Sequence, residues 1–150
     1  MPGSWNPAVF PNLTEEEYAE TSPATRRYNC IAFAAGVDTR KWWPDPMRIG
    51  YWPPNVAREE TLDAFIQAFA TLGYEPCQDG SYERGLEKVA LYADNDGVPT
   101  HAAIQRENGA WQSKLGDCED IEHATLECLN SDAYGAPVQF LRRPRFSQVH

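Results

Sequence analysis

The sequence predicts a single α+β domain, with N-terminal helices packed on an antiparallel β-sheet. Three observations predict the class. Residues 62–72 carry apolar side chains at a helical period. After Gly73 the pattern changes to short apolar runs separated by turn-forming residues. The chain has 150 residues, 42% of them hydrophobic, enough for one compact domain that buries about two-thirds of its unfolded surface.

Element by element, "NLTEEEYAE" places Thr14 and Glu17 at capping-box spacing, which predicts a short acidic helix ended by Pro23. "RRYNCIAFAAG", residues 26–36, sets Cys30 at the start of a run of small apolar residues, a helix start. "KWWPDPMRIGYWPPN", residues 41–55, is rich in proline and tryptophan and predicts an ordered irregular loop. Its Trp42, Trp43 and Trp52 either wall a cleft or complete the core. "EETLDAFIQAFATLG" is the clearest helix, with Leu62, Phe65, Ile66, Phe69 and Leu72 on one face, Thr61 as N-cap and Gly73 beyond its end.

"GYEPC", "EKVALYAD", "THAAIQ", "AWQSKL" and "PVQFLRR" then read as strands of one sheet. "DIEHATLECLN" interrupts them as a short helix, with Ile121, Leu126 and Leu129 as its buried positions. Helices followed by a strand meander must pack on each other to hide their apolar faces, which is the α+β solution.

Charge and composition narrow the function classes. The net charge is −9 and the thirteen Lys and Arg are scattered except for "TRR" at residues 25–27 and "RRPR" at residues 142–145, so phosphate backbones are repelled and nucleic acid is not expected as a partner. No apolar run reaches the roughly 20 residues of a membrane-spanning helix, and "MPGSWNPAVF" lacks the features of a secretory signal. The expectation is a cytoplasmic protein without a membrane partner. Cys30, Cys77, Cys118 and Cys128 contain no CxxC pair, so a disulfide framework is not expected. A zinc site of Cys77, Cys118, Cys128 and His123 would lack the close ligand pairs of structural zinc. No cofactor is called for.

Chemistry concentrates on Cys30 and the hairpin "THAAIQRENGAWQSKLG". Asn108-Gly109 marks its turn, putting His101 near the start of one strand and Ser113 and Lys114 on its neighbour. A two-residue turn places Gln112 and Lys114 on the face of His101, and a three-residue loop brings Ser113 round instead. Sequence does not choose between them.

The grouping of "NCIAFA" at a helix start, a strand "VALYA" and "HAAIQ…NGAW" in a hairpin resembles papain-like thiol hydrolases, particularly NlpC-type peptidases and CHAP amidases. It is also similar to bacterial domains with a "YNCIA" opening that have no established activity. The resemblance covers roughly Tyr28 to Gly36 and Lys88 to Leu115. It implies Cys30 as nucleophile and His101 as base, with Ser113 nearest the position of the orienting residue and Gln112 the better chemical match for that role. The physical reading of Cys30 agrees, because a thiol in the first turn of a helix feels unpaired N–H groups that favour the thiolate. Backbone N–H groups there, helped by Asn29 or Tyr28, would hold an oxyanion. Lys114 suits an anion, and the tryptophans suit a substrate wall.

The implied function is a cysteine-dependent hydrolase or acyl transferase acting on an amide or peptide bond of a protein or peptide substrate. Two other readings stand beside it. Cys30 is equally at home as an inert core residue, since free cysteine is among the most buried residue types. A non-catalytic protein-interaction domain on the same scaffold would instead use the Trp/Pro loop as its contact surface. A toxin or effector role fits either class. His123 reads as a surface or capping residue, and Cys77, Cys118 and Cys128 as structural.

Overall fold

The structure is a computed structural model that describes residues 18–22, 27–115, 120–131 and 134–145. Seven strands form one sheet: β1 (Tyr18–Ser22), β2 (Glu75–Cys77), β3 (Leu86–Ala93), β4 (Pro99–Gln105), β5 (Trp111–Lys114), β6 (Asp120–His123) and β7 (Ala136–Pro144). Their order is β1-β6-β5-β4-β3-β7-β2, with every neighbouring pair antiparallel. Two helices, α1 (Cys30–Ala34) and α2 (Leu62–Ala70), complete the regular structure together with a 3-10 turn at Glu127–Leu129. The chain is thus a mixed α/β protein with an antiparallel sheet and few helices.

Both helices begin and end for local reasons. The Asn29 side chain accepts from the Ala32 N–H at the start of α1. At its end Gly36 takes φ +84°, Gly36 N–H bonds Phe33 C=O and Val37 N–H bonds Ala32 C=O, a glycine-terminated cap. Thr61 caps α2 through the Ala64 N–H, and the chain leaves through Gly73 at φ +93° with Tyr74 N–H on Phe69 C=O. The helix, its cap and its stop are as the sequence predicts.

The sheet is covered on both faces. One face carries the cluster that includes α1, α2, Trp42 and Trp52 together with Val89, Leu91, Ala102 and Leu141. The other carries Ala90, Tyr92, Ala103, Trp111 and Ile121, roofed by Leu126, Cys128, Leu129 and Tyr134. Burial from both sides explains why β3 reads as an almost continuous apolar run and is buried from Lys88 to Ala93.

Of two further expected helices, one is absent and the other falls largely outside the described residues. The described end of the N-terminal segment, Tyr18–Ser22, pairs with β6 as a strand, while Thr14 and Glu17 lie outside the described residues. Asp120–His123 is also a strand, and only Glu127–Leu129 turns. In both places sheet pairing outweighs a weak local helical pattern. Ile121, Leu126 and Leu129 are nevertheless buried as expected, because an edge-to-core seating needs the same apolar residues whatever the backbone conformation.

Candidate functional site

The β4–β5 connection decides which side chains meet. Arg106 N–H bonds Ala110 C=O at 2.7 Å, Gly109 N–H bonds Arg106 C=O at 3.0 Å, and Gly109 sits at φ +88°. The loop therefore holds three residues, Glu107 to Gly109, and the register pairs Ile104 with Gln112 and Gln105 with Trp111. Alternation puts His101, Ala103, Trp111 and Ser113 on one face and Ala102, Ile104, Gln112 and Lys114 on the other.

Cys30 belongs to the second of these faces. Its Sγ lies 3.8 Å from the Thr100 carbonyl oxygen, to which the thiol donates, and it is buried with Ala102 in the helix-side core. His101 points to the opposite side, stacked on Tyr134 (centroids 4.1 Å, 13°) and edge-on to Tyr92 (5.1 Å). The expected Cys30–His101 pair is therefore not brought together. One strand separates them because adjacent β residues project to opposite faces, and Cys30 packs over the face of Ala102.

Burial pushes the Cys30 thiol up to about 11, although the Ala102 and Ile31 N–H groups and the Lys114 charge pull the other way. At pH 8 a thiol at 11 is about 0.1% thiolate against roughly a quarter at 8.5. Iodoacetamide should thus label Cys30 about two orders of magnitude more slowly than a free thiol, and a His101→Ala variant should not slow it further. Mass-spectrometric mapping of the labelled residue against pH checks this. Fast labelling with an apparent pKa below 8.5, lost in the variant, would reinstate the thiolate–imidazole pair.

The other expected residues have different partners. Ser113 Oγ lies 2.8 Å from Nε2 of His123, not of His101, and His123 Nδ1 lies 2.8 Å from the Thr125 carbonyl oxygen. Nδ1–H must donate to that carbonyl, so Nε2 is left to accept from the serine hydroxyl. His123, expected at the surface, is 1% exposed. The expectation followed from a helical reading of "DIEH"; as strand residues, Ile121 and His123 share the inward face. Gln112 faces the other side at the hairpin mouth, its Oε1 accepting from Arg106 Nη1 at 2.8 Å.

Asn29 and Tyr28 are likewise committed. Asn29 Nδ2 donates to Trp42 C=O at 2.7 Å, and its Oδ1 accepts from Ala32 and Trp42 N–H. It ties α1 to the Trp/Pro loop through these three bonds. Tyr28 OH donates to Asp120 Oδ2, and the buried Lys114 Nζ stands over the Tyr28 ring at 5.1 Å. Cys30, Tyr28, Lys114 and Asp120 thus form a polar nest under the helix start, and the Oδ1 of Asp120 is buried without a hydrogen-bond partner among the described residues. Asp120 escaped the sequence reading; the alternation of "SKLGDCEDIE" across a β5–β6 pair was its only signal.

Trp42 and Trp52 are core, and Trp43 packs on Phe65 with centroids 5.4 Å apart. They complete the core and do not wall a cleft. What the loop presents outward is its tip, with Met47 79% and Ile49 89% exposed. The tip is clamped from within. Asp45 carboxylate oxygens accept from Ile49 N–H (2.8 Å) and Gly50 N–H (2.7 Å), while Arg58 donates to Asp45 C=O (2.7 Å) and Gly50 C=O (3.0 Å). Those bonds hold the Asp45 carboxyl below its usual range.

Three surface hollows are not lined by Cys30, although one is bordered by Phe33 and Gly36 at the end of α1. One of about 640 Å³ is lined by Asp94, Asn95, Asp96, Asn130, Ser131 and Gly135, among others. Another, near 530 Å³, borders Cys77, Lys88 and Arg142 at the β2 edge. Cys77 stands on the terminal strand farthest from β6 and His123, so those two do not converge on a zinc ion, and Cys118 lies outside the described residues. No helix among the described residues is long and apolar enough to cross a membrane.

Nothing among the curated proteins or the solved structures matches this chain. A family profile does, over residues 19–142, from within β1 to within β7, and so takes in both faces of the sheet, the Cys30 nest and the Trp/Pro loop. The chain belongs to the family described as Domain of unknown function (DUF7689).

Proposed function

We propose that this domain is a non-catalytic protein-interaction module on a papain-like scaffold, with the tip of the Trp/Pro loop as its contact surface. The observation that carries the reading is the display of Met47 and Ile49 on a turn fixed by the Asp45–Arg58 clamp. Scattered exposed apolar residues are ordinary, whereas two neighbours on an ordered tip form a ready anchor for a partner's pocket. Rigidity lowers the entropy lost on binding. Residues 40–58 hold four of the chain's thirteen cations (Arg40, Lys41, Arg48 and Arg58) and one of its twenty-two carboxylates, Asp45. The partner is therefore a protein surface with an apolar pocket rimmed by carboxylates.

Selection of a displayed random-peptide library on this protein tests the reading. Enriched peptides should combine Asp or Glu with apolar residues and bind at least tenfold more weakly to a Met47→Ser/Ile49→Ser variant. Both positions are exposed, so folding stability should change by no more than about 0.5 kcal/mol. Enrichment that ignores the tip would sink the proposal.

A second reading remains the cysteine-dependent hydrolase or acyl transferase acting on an amide or peptide bond. It is favoured by the placement of Cys30 as the first residue of α1, beside Tyr28 and within the field of buried Lys114. It requires the thiol to become accessible, and full retention of any amidase activity by Cys30→Ala would exclude it.

A further inference from the structure

The second face of the sheet is roofed by residues 124–131 and by Tyr134, and three polar contacts seat this roof, one of them from an imidazole. His123 Nδ1–H donates to Thr125 C=O, Tyr92 OH donates to Leu126 C=O at 2.6 Å, and Thr100 Oγ1 donates to Tyr134 C=O. His101 is wedged between Tyr92 and Tyr134, fully buried, with neither ring nitrogen hydrogen-bonded among the described residues. Both-nitrogen isolation of a buried imidazole is unusual, because buried polar groups are normally paired.

We propose that residues 124–131 with Tyr134 form an acid-released strap, which lifts from the sheet when His101 and His123 take up protons and uncovers the apolar surface around Tyr92, Ala103 and Ile121. The groups facing His101 are Tyr92 from β3, Tyr134 from the strap side and His123 from β6. Those facing His123 are Ser113 from β5, the Thr125 carbonyl and His101. Cys128 and the exposed Glu127 act on Tyr92 from the strap itself. Among the described residues no carboxylate touches either imidazole, so an imidazolium in the closed state meets none of them, while one formed with the strap lifted meets water.

The sign follows directly. Burial depresses His101 well below its ordinary value and His123 to about 4, so the open form binds protons more readily than the closed one. Closure is at full strength above about pH 6.5 and weakens as pH falls from there toward 4. Each pH unit in that window favours opening by up to about tenfold per histidine.

Hydrogen exchange of the intact chain at pH 7, 6 and 5, corrected for the intrinsic pH dependence of amide exchange, tests the strap. The expected result is protection of 124–131 falling at least tenfold between pH 7 and 5 while β3 and β7 stay protected. A His101→Phe variant keeps a ring between the two tyrosines and cannot titrate there, so it should lose about half of the acid response on a logarithmic scale. The single variant His123→Gln should lose part of it. Should either fail to fold, ring-proton NMR of the wild type serves instead, with the His101 and His123 titration midpoints expected to coincide with strap opening. The proposal is overturned if protection of 124–131 is flat to pH 5, if β3 and β7 open with it in one step, or if the variants open as the wild type does.

Discussion

Gly135→Ala is expected to destabilise the domain by on the order of 4 kcal/mol or more, read as a fall in the urea midpoint. A methyl group at this position would lie 1.9 Å from the Ala93 carbonyl oxygen and 2.6 Å from its carbon. These are backbone atoms of a strand paired on both sides, so no side chain can rotate out of the way. The residue also sits at φ +72°, in the left-handed region that a side chain disfavours. Ser131 and Gly135 exchange backbone hydrogen bonds at 2.7 and 3.2 Å, so relief of the clash would break that bridge and displace Tyr134 from His101. A loss below about 1.5 kcal/mol would mean that the close approach of Gly135 to β3 is wrong.

Phe65→Ala should cost about 4 kcal/mol, in the range for truncating a buried phenylalanine. Phe65 is fully buried and is the ring on which both Trp43 and Trp52 pack, at 5.4 and 5.0 Å between centroids. The cavity would open under the Trp/Pro loop, and the consequence reaches function. If the loop tip is the contact surface, tip-dependent peptide binding should weaken in Phe65→Ala even under conditions where the variant remains folded. Tryptophan fluorescence should shift to the red as water reaches Trp43 and Trp52. An unfolding midpoint within 0.5 kcal/mol of the wild type would show that α2 does not anchor the loop.

Much of this architecture is legible in the sequence because its causes are local. Thr61 and Gly73 delimit α2 by capping chemistry, Asn29 and Gly36 do the same for α1, and five strands announce themselves by period and turn residues. Candidate residues were legible as types: Ser113, Lys114 and His101 all prove to be buried polar groups. Their grouping was not. His101 and Cys30 look like partners along the chain, yet they project to opposite faces of β4, and Ser113 finds His123. Asp120 and His123 read as residues of a short helix until β6 is seen paired between β5 and β1.

The sequence by itself determined the α+β class, both helices, the β2–β5 and β7 strands, and the packing of the apolar face of α2 and of Val89 to Tyr92 into the core. These follow from side-chain size, capping and periodicity within a few residues. Only the tertiary structure decided which side of the sheet each polar residue occupies, because a one-residue change in the Glu107–Gly109 loop exchanges the faces of all β5 side chains relative to β4. It likewise decided that the three tryptophans turn inward and leave Met47 and Ile49 at the tip, since that outcome depends on Phe65 and Arg58, residues remote from the tip that only the folded packing brings beneath it.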